Sequence, residues 1–165
     1  MACRSTVIDY LDHHWKTDKK VGLAYIYFIH SQQTEQTPES ILGSLLKQLL
    51  QAQEGLPISK GLEDLYKKYF DEARPTFDQY SELLQFETRK HAKVFIVIDA
   101  LDECTDDNRE KLLRALQTLR VNVNFLFTSR EHINIKREFP NAKELQVYAR
   151  GADLQIWPTS TTLYG

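Results

Sequence analysis

The sequence predicts a three-layer α/β fold, in which helices cover both faces of a parallel sheet. Short apolar runs typical of buried strands occur at residues 23–29, 93–98 and 123–128. Segments whose apolar residues recur at helical spacing separate these runs. Alternation of strands and helices is the pattern of crossover connections between parallel strands, which are right-handed.

The first half of the chain predicts two helices around one strand. Residues 5–15 place apolar side chains at helical spacing. Residues 23–29 (LAYIYFI) are apolar on both faces, as expected for a strand that is covered on both sides. Thr37 followed by Pro38 is an N-cap with proline at the first helical position, and residues 41–50 carry a broad apolar stripe. We therefore expect a helix from Pro38 onward.

The middle of the chain predicts two further helices and a buried strand. Apolar and aromatic residues recur at helical spacing over residues 62–70. Thr76, with Gln79 three residues later, matches a capping box that opens the next helix. Residues 93–98 (KVFIVI) are apolar without alternation, so we expect this strand to be central in the sheet.

The last third predicts a helix over residues 112–119 and a strand over residues 123–128. A weaker strand signal follows at residues 144–148. We assign residues 1–153 to one domain and residues 154–165 to an irregular tail, because Pro and hydroxyl residues there do not extend a helix.

Composition excludes several classes of function. The 165 residues are 42% hydrophobic and 27% charged, which is ordinary for one globular domain. The net charge is -2 with both signs interspersed, so neither nucleic acid nor an anionic membrane surface is an expected partner. Cys3 and Cys104 lie far apart without a CxxC pair, which favours neither a disulfide framework nor a zinc site. The longest apolar run is too short to cross a bilayer, and we expect a cytoplasmic protein.

Chemistry-bearing residues follow two of the predicted strands. Asp99, Asp102 and Glu103 come at the end of the strand at residues 93–98. One carboxylate there can hold a hydrated Mg²⁺, and a second can orient an attacking water. Arg130 follows the strand at residues 123–128, where its guanidinium suits a terminal phosphate. Because ligands bind at the carboxyl ends of strands in α/β sheets, we expect these groups to share one rim.

Simpler interpretations cover the other polar residues. Asp106 or Asp107 is expected to cap the following helix. His13 and His14 fit an exposed helix end, since nothing at metal-ligand spacing accompanies them. Cys104 has no histidine near it in sequence and is expected to pack as a small apolar residue. Arg130 on its own would be read as a surface charge.

The strand-end motifs resemble a known family. Residues 93–104 (KVFIVIDALDEC) resemble the Walker B segment of NACHT domains, and residues 124–131 (NFLFTSRE) are similar to the sensor-one strand of that family. Residues 23–50 resemble the strand and helix between Walker A and Walker B, particularly in fungal proteins with a nephrocystin 3-like N-terminal module. The resemblance runs from residue 5 to residue 153. It implies a P-loop NTPase of the signalling (STAND) class.

The resemblance also implies roles for the strand-end residues. Asp99 would associate with Mg²⁺ through water, and Asp102 and Glu103 would position the hydrolytic water. Arg130 would sense the γ-phosphate. The implied cofactors are ATP or ADP with Mg²⁺.

The sequence departs from the family at the phosphate-binding loop. G-x-x-x-x-G-K-[ST] occurs nowhere, and no glycine is followed by lysine. We expect the chain to begin just downstream of that loop and to be part of a longer multidomain signalling protein. In the family, the first strand lies between the strands that match residues 93–98 and 123–128. Either those two strands pair directly here, or the sheet is marginally stable.

Three functional hypotheses remain open. The first is a fragment of a NACHT-type nucleotide switch that carries the Mg²⁺ and sensor half of the site but is not an active ATPase alone. The second is a non-catalytic interaction module that binds partner chains or self-associates through its sheet edges. The third, a metal-dependent phosphohydrolase using Asp99, Asp102 and Glu103, requires no phosphate-binding loop.

Overall fold

The structure, a computed structural model, describes residues 6–15, 17–51, 63, 64, 67, 75–119, 122–130 and 133–146. Its elements in chain order are α1 (Thr6–Trp15), β1 (Val21–Tyr27), α2 (Pro38–Gln51), α3 (Phe77–Thr88), β2 (Lys93–Asp99), α4 (Asp106–Gln117) and β3 (Val123–Phe127). Two 3-10 turns lie at His30–Gln32 and Leu101–Glu103.

The three strands form one parallel sheet in the order β1-β2-β3. The predicted α/β class and the central position of β2 are therefore confirmed. The register pairs Tyr27 with Asp99 and Ile98 with Phe127, so all three strands end at the same rim. Of the two alternatives for the sheet, direct pairing of β2 with β3 is the one observed.

Helices pack on both faces of this sheet. A Cβ atom added to Gly22 of β1 would lie 2.8 Å from Cδ2 of Leu49, so α2 covers that face closely. Trp15 of α1 contacts the ring of Phe95, whose neighbour in β2, Val94, belongs to the core on the other face. Because successive residues of a strand point to opposite faces, α1 and α2 lie on opposite sides of the sheet.

The α2 helix connects the sheet to an outer helix and to α4. On its outer side, Gly43 faces the ring of Tyr80 in α3, and a Cβ atom added there would lie 3.1 Å from the ring, a tight contact. Lys111 of α4 donates to Glu39 of α2 at 2.7 Å. Leucines of α2, α3 and α4 that are shielded from solvent form one core with β1 and β2.

A buried polar cluster lies where α3 meets β2. Glu87 is fully buried, and Lys90 donates to its carboxylate at 2.6 Å. Burial opposes ionisation of Glu87, but the nearby His91 ring, whose Nε2 lies 3.7 Å from Oε1, and the hydrogen bond from Lys90 outweigh it and lower the pKa of this carboxyl group. Asn122 donates to the carbonyl of His91 at 2.6 Å and so ties the start of β3 to this turn.

Two of the three predicted helix caps are confirmed. The Thr37 hydroxyl accepts a hydrogen bond from the Ser40 amide at 3.3 Å, and the capping box at Thr76 is present with both of its hydrogen bonds. The prediction that Asp106 or Asp107 caps α4 is wrong, because Thr105 occupies the N-cap position. Both acids lie instead in the first turn, where negative charge is favourable next to the helix dipole.

The predicted last strand is wrong in the part of the chain that the structure describes. Residues 144–146 do not form a strand there, and residues 147 and 148 lie outside the described residues. The helix predicted at residues 62–70 also lies mostly outside them, although residues 63, 64 and 67 are helical. The boundary at residue 153 and the tail lie outside as well. No helix in the described ranges has the length and hydropathy needed to span a bilayer.

Candidate functional site

The end of β2 turns sharply to bring two acids to the rim of the sheet. Ala100 adopts the left-handed conformation, with φ at 54°, which is costly for a residue with a Cβ atom. The 3-10 turn that follows buries Leu101 completely in the core. With Leu101 as an anchor, the same turn leaves Asp102 and Glu103 partly accessible at the rim.

Thr128, just after β3, joins the ends of β2 and β3. Its amide donates to the Ile98 carbonyl at 2.9 Å, and its own carbonyl accepts from the Leu101 amide at 2.9 Å. Its hydroxyl accepts from the Ala100 amide at 3.0 Å and donates to Oδ1 of Asp99. The Asp99 carboxylate is therefore fixed at the rim by the neighbouring strand.

Arg130 bridges the two acids of the 3-10 turn. Its Nε donates to Oδ2 of Asp102 at 2.6 Å, and its backbone amide donates to Oδ1 at 3.1 Å. One of its terminal nitrogens donates to Oε1 of Glu103. Asp102 and Glu103 expose only 15% and 21% of their side chains, whereas Arg130 exposes 76%. The guanidinium thus covers the acids from the solvent side.

These contacts shift the ionisation of both partners. Partial burial opposes ionisation of Asp102, but the side-chain and backbone hydrogen bonds from Arg130 outweigh it and lower the pKa of the carboxyl group. The hydrogen bond to Asp102, together with the charges of Asp102 and Glu103, raises the pKa of Arg130. The ion pair is therefore fully charged near neutral pH.

The turn after β1 also reaches this rim. Nδ1 of His30 lies 3.2 Å from Oε2 of Glu103, and Nε2 of Gln33 donates to the Glu103 carbonyl at 2.6 Å. The 3-10 turn at His30–Gln32 thus lies beside Glu103, on the β1 side of the rim.

Cys104 ends the acidic turn and packs inward. It is 5% exposed, and burial raises the pKa of its thiol to about 11. A thiol that stays protonated is a poor nucleophile, so the interpretation of Cys104 as a packing residue is confirmed. The nearby Arg109 donates to the Cys104 carbonyl at 3.0 Å.

The four residues predicted from the strand ends therefore meet at one rim. Arg130 contacts Asp102 and Glu103 directly, and Asp99 joins them through Thr128. Carboxylate oxygens suit Mg²⁺, and a guanidinium suits phosphate. Within the described ranges, no group of three or more His, Cys, Asp or Glu side chains is arranged to hold a metal ion. Mg²⁺ bound through a single carboxylate, water and phosphate oxygens does not require such a group.

Sequence reasoning missed His30, Gln33 and the role of the Thr128 hydroxyl. All three residues follow apolar strands, and the rule that ligands bind at the carboxyl ends of strands applies to β1 as it does to β2 and β3. The run of polar residues from His30 to Gln33 was the available signal. Its contact with Glu103 joins residues 70 or more positions apart, which local patterns do not reveal.

Comparison with known families matches most of the chain. A family model described as "Nephrocystin 3, N-terminal" matches residues 2–130. The matched range runs from before α1 through Arg130, so it includes every rim residue described above. Comparisons with curated proteins and with solved structures find no match.

Proposed function

Because the chain belongs to the nephrocystin 3 N-terminal family, we propose that its rim is the Mg²⁺ and γ-phosphate side of a nucleotide site of the NACHT type. The nucleotide is ATP or ADP, and the biological role is that of a signalling switch. The observation that carries the proposal is the meeting of Arg130 with Asp102 and Glu103, beside an Asp99 fixed by Thr128.

Each rim residue has a different role in phosphoryl transfer, which follows from its position. Asp99 ends the central strand and would hold Mg²⁺, an ion that prefers one or two carboxylates together with water and phosphate oxygens. When bound there, Mg²⁺ would supply positive charge against the phosphate oxygens. Asp102 and Glu103 accept hydrogen bonds from the hydrolytic water and orient it.

Arg130 senses the γ-phosphate by exchanging partners. In the structure its guanidinium is occupied by the two acids. Its side chain is 76% exposed and is free to turn toward a phosphate that competes for the same donors. Such an exchange would leave Asp102 and Glu103 available to hold water.

The chain of 165 residues is not an active ATPase by itself. Its sequence contains no glycine-lysine loop, whose backbone amides and lysine hold the β- and γ-phosphates in P-loop proteins. Calorimetric titration of the purified chain with MgATP and MgADP should show no binding in the micromolar range and no turnover. Micromolar affinity accompanied by hydrolysis would contradict this part of the proposal.

A second candidate function is a non-catalytic interaction module. Apolar side chains are exposed on α1, where Val7 and Tyr10 are 42% and 63% exposed, and on β3, where Leu126 is 38% exposed. Such side chains favour contact with a partner or with a second copy of the chain. Titrating Mg²⁺ against the wild type and Asp99→Asn separates the candidates. A nucleotide site predicts weaker Mg²⁺ binding in the variant, whereas an interaction module predicts no difference.

A further inference from the structure

The register of the sheet places the turn after β1 beside the proposed site. Tyr27 pairs with Asp99, and the amide of Phe28 donates to the Asp99 carbonyl at 3.0 Å. Phe28 is 4% exposed and anchors the chain in the core. Residues that follow it leave the sheet directly beside the end of β2.

The turn has hydrogen bonds of its own besides its contacts with Glu103. The side chain of Gln36 accepts from the Ile29 amide at 2.9 Å and donates to the Tyr27 carbonyl at 2.7 Å. These two hydrogen bonds close the segment between the end of β1 and the start of α2. His30 and Gln33 therefore project from a backbone that is already fixed.

Both side chains contact Glu103. Nε2 of Gln33 donates to its carbonyl at 2.6 Å, and Nδ1 of His30 lies 3.2 Å from Oε2 of its carboxylate. The other carboxylate oxygen, Oε1, accepts from Arg130. The backbone carbonyl of Glu103 and both of its carboxylate oxygens are thus contacted by residues that follow β1 and β3.

The proton on His30 decides which contact the imidazole makes. Nδ1 also lies 3.2 Å from Nε2 of Gln33. With a proton on Nδ1, the ring donates to the Glu103 carboxylate; without one, it accepts from the Gln33 amide. His30 therefore holds Oε2 of Glu103 only in the form that carries a proton on Nδ1.

We propose that His30 and Gln33 are positioning residues that hold the Glu103 carboxylate in place for the hydrolytic water. This inference rests on the proposed function of the rim. When Arg130 turns to a phosphate, His30 keeps its hold on Oε2, so Glu103 stays at the rim instead of swinging into solvent.

The test follows backbone amides of the ¹⁵N-labelled full chain by NMR during titration with MgATP up to millimolar concentration. His30→Ala removes the donor, and His30→Asn restores one at a similar position. Loss of the partly exposed His30–Glu103 contact should lower the ratio of Glu103 side chains held at the rim to those free in solvent by about two- to fivefold in His30→Ala. The change that MgATP causes in the amide signal of Glu103 should become smaller to the same extent. The Asp99 response should persist because Thr128 holds that carboxylate. His30→Asn should recover the Glu103 response.

His13→Ala is the matched control, since His13 is an exposed histidine on α1. It should respond like the wild type. A Glu103 response that is unchanged in His30→Ala, or that His30→Asn does not restore, would overturn this inference alone. If neither Asp99 nor Arg130 responds in the wild type, the proposed function fails and the inference fails with it.

Discussion

Thr128→Val removes the hydroxyl that joins the ends of β2 and β3, so it measures how strongly the rim is held together. The substitution keeps the shape and the β-branched character of the side chain. It leaves the Ala100 amide without its acceptor at 3.0 Å and Oδ1 of Asp99 without its donor.

The expected loss of stability follows from these two hydrogen bonds. Each contributes about 0.5–1.5 kcal/mol net, and water replaces part of both because Thr128 is exposed. We expect the free energy of unfolding to fall by about 1–2 kcal/mol. With a urea m-value of about 2 kcal/mol/M, the unfolding midpoint should move down by about 0.5–1 M.

Urea unfolding followed by circular dichroism at pH 7 measures this change. Thr128→Ser keeps the hydroxyl and should stay close to the wild type. Thr105→Val is the matched control, because the Thr105 side chain makes no capping hydrogen bond. If Thr128→Val unfolds at the wild-type midpoint, Thr128 does not hold Asp99 and Ala100 together as described.

Three further predictions concern the same region. Ala100→Gly should raise the free energy of unfolding, measured by urea titration, by up to about 1 kcal/mol. The strain of the left-handed conformation at Ala100 exceeds the entropy that glycine adds to the unfolded chain. A clear loss of stability would show that Ala100 is not strained. The lowered pKa of Asp102 means that its contribution to stability is present above its unfolded pKa of about 3.9 and is lost as the pH falls through the folded value. Arg130→Gln should therefore shrink the difference in stability between pH 7 and pH 3. Arg114→Gln should change it less, because its partner Glu110 is 42% exposed and solvent screens that pair, whereas Asp102 is only 15% exposed. In a Cys3→Ser background, the Cys104 thiol, whose pKa is about 11, should react with iodoacetamide at pH 8 only as fast as the folded chain opens. Rapid labelling of the folded chain would show that Cys104 is accessible.

Much of the fold could be predicted from the sequence because it depends on short-range contacts and on the pattern of apolar residues. Thr37 with Pro38, and Thr76 with Gln79, specify helix starts through contacts within four residues, and both starts were predicted correctly. β2 was predicted to be central because a strand covered on both faces has no polar alternation. These features depend on neighbours along the chain or on burial alone.

Features that depend on distant partners were harder to predict. The weak alternation at residues 144–148 predicts a strand, but residues 144–146 lie outside the strands, because a short alternating segment does not specify a partner strand. The sequence left open whether β2 and β3 pair directly, since either arrangement has the same apolar pattern. At the candidate site, Asp99, Asp102, Glu103 and Arg130 were found from the strand-end rule.

The contact of His30 with Glu103 was missed for a related reason. The rule that ligands bind at the carboxyl ends of strands identifies which residues can meet, but not which of them do. The parallel register of β1 and β2 supplies that information, because it places Tyr27 beside Asp99.

The central claim is that the rim formed by Asp99, Asp102, Glu103 and Arg130 faces a metal-bound triphosphate. Paramagnetic Mn²⁺ in place of Mg²⁺, added with ATP to the ¹⁵N-labelled chain, broadens the amide signals nearest to the bound ion. We expect broadening concentrated at residues 99–103 and 128–130, with less effect in Asp99→Asn. Broadening centred on another part of the chain, or equal broadening in Asp99→Asn, would contradict it.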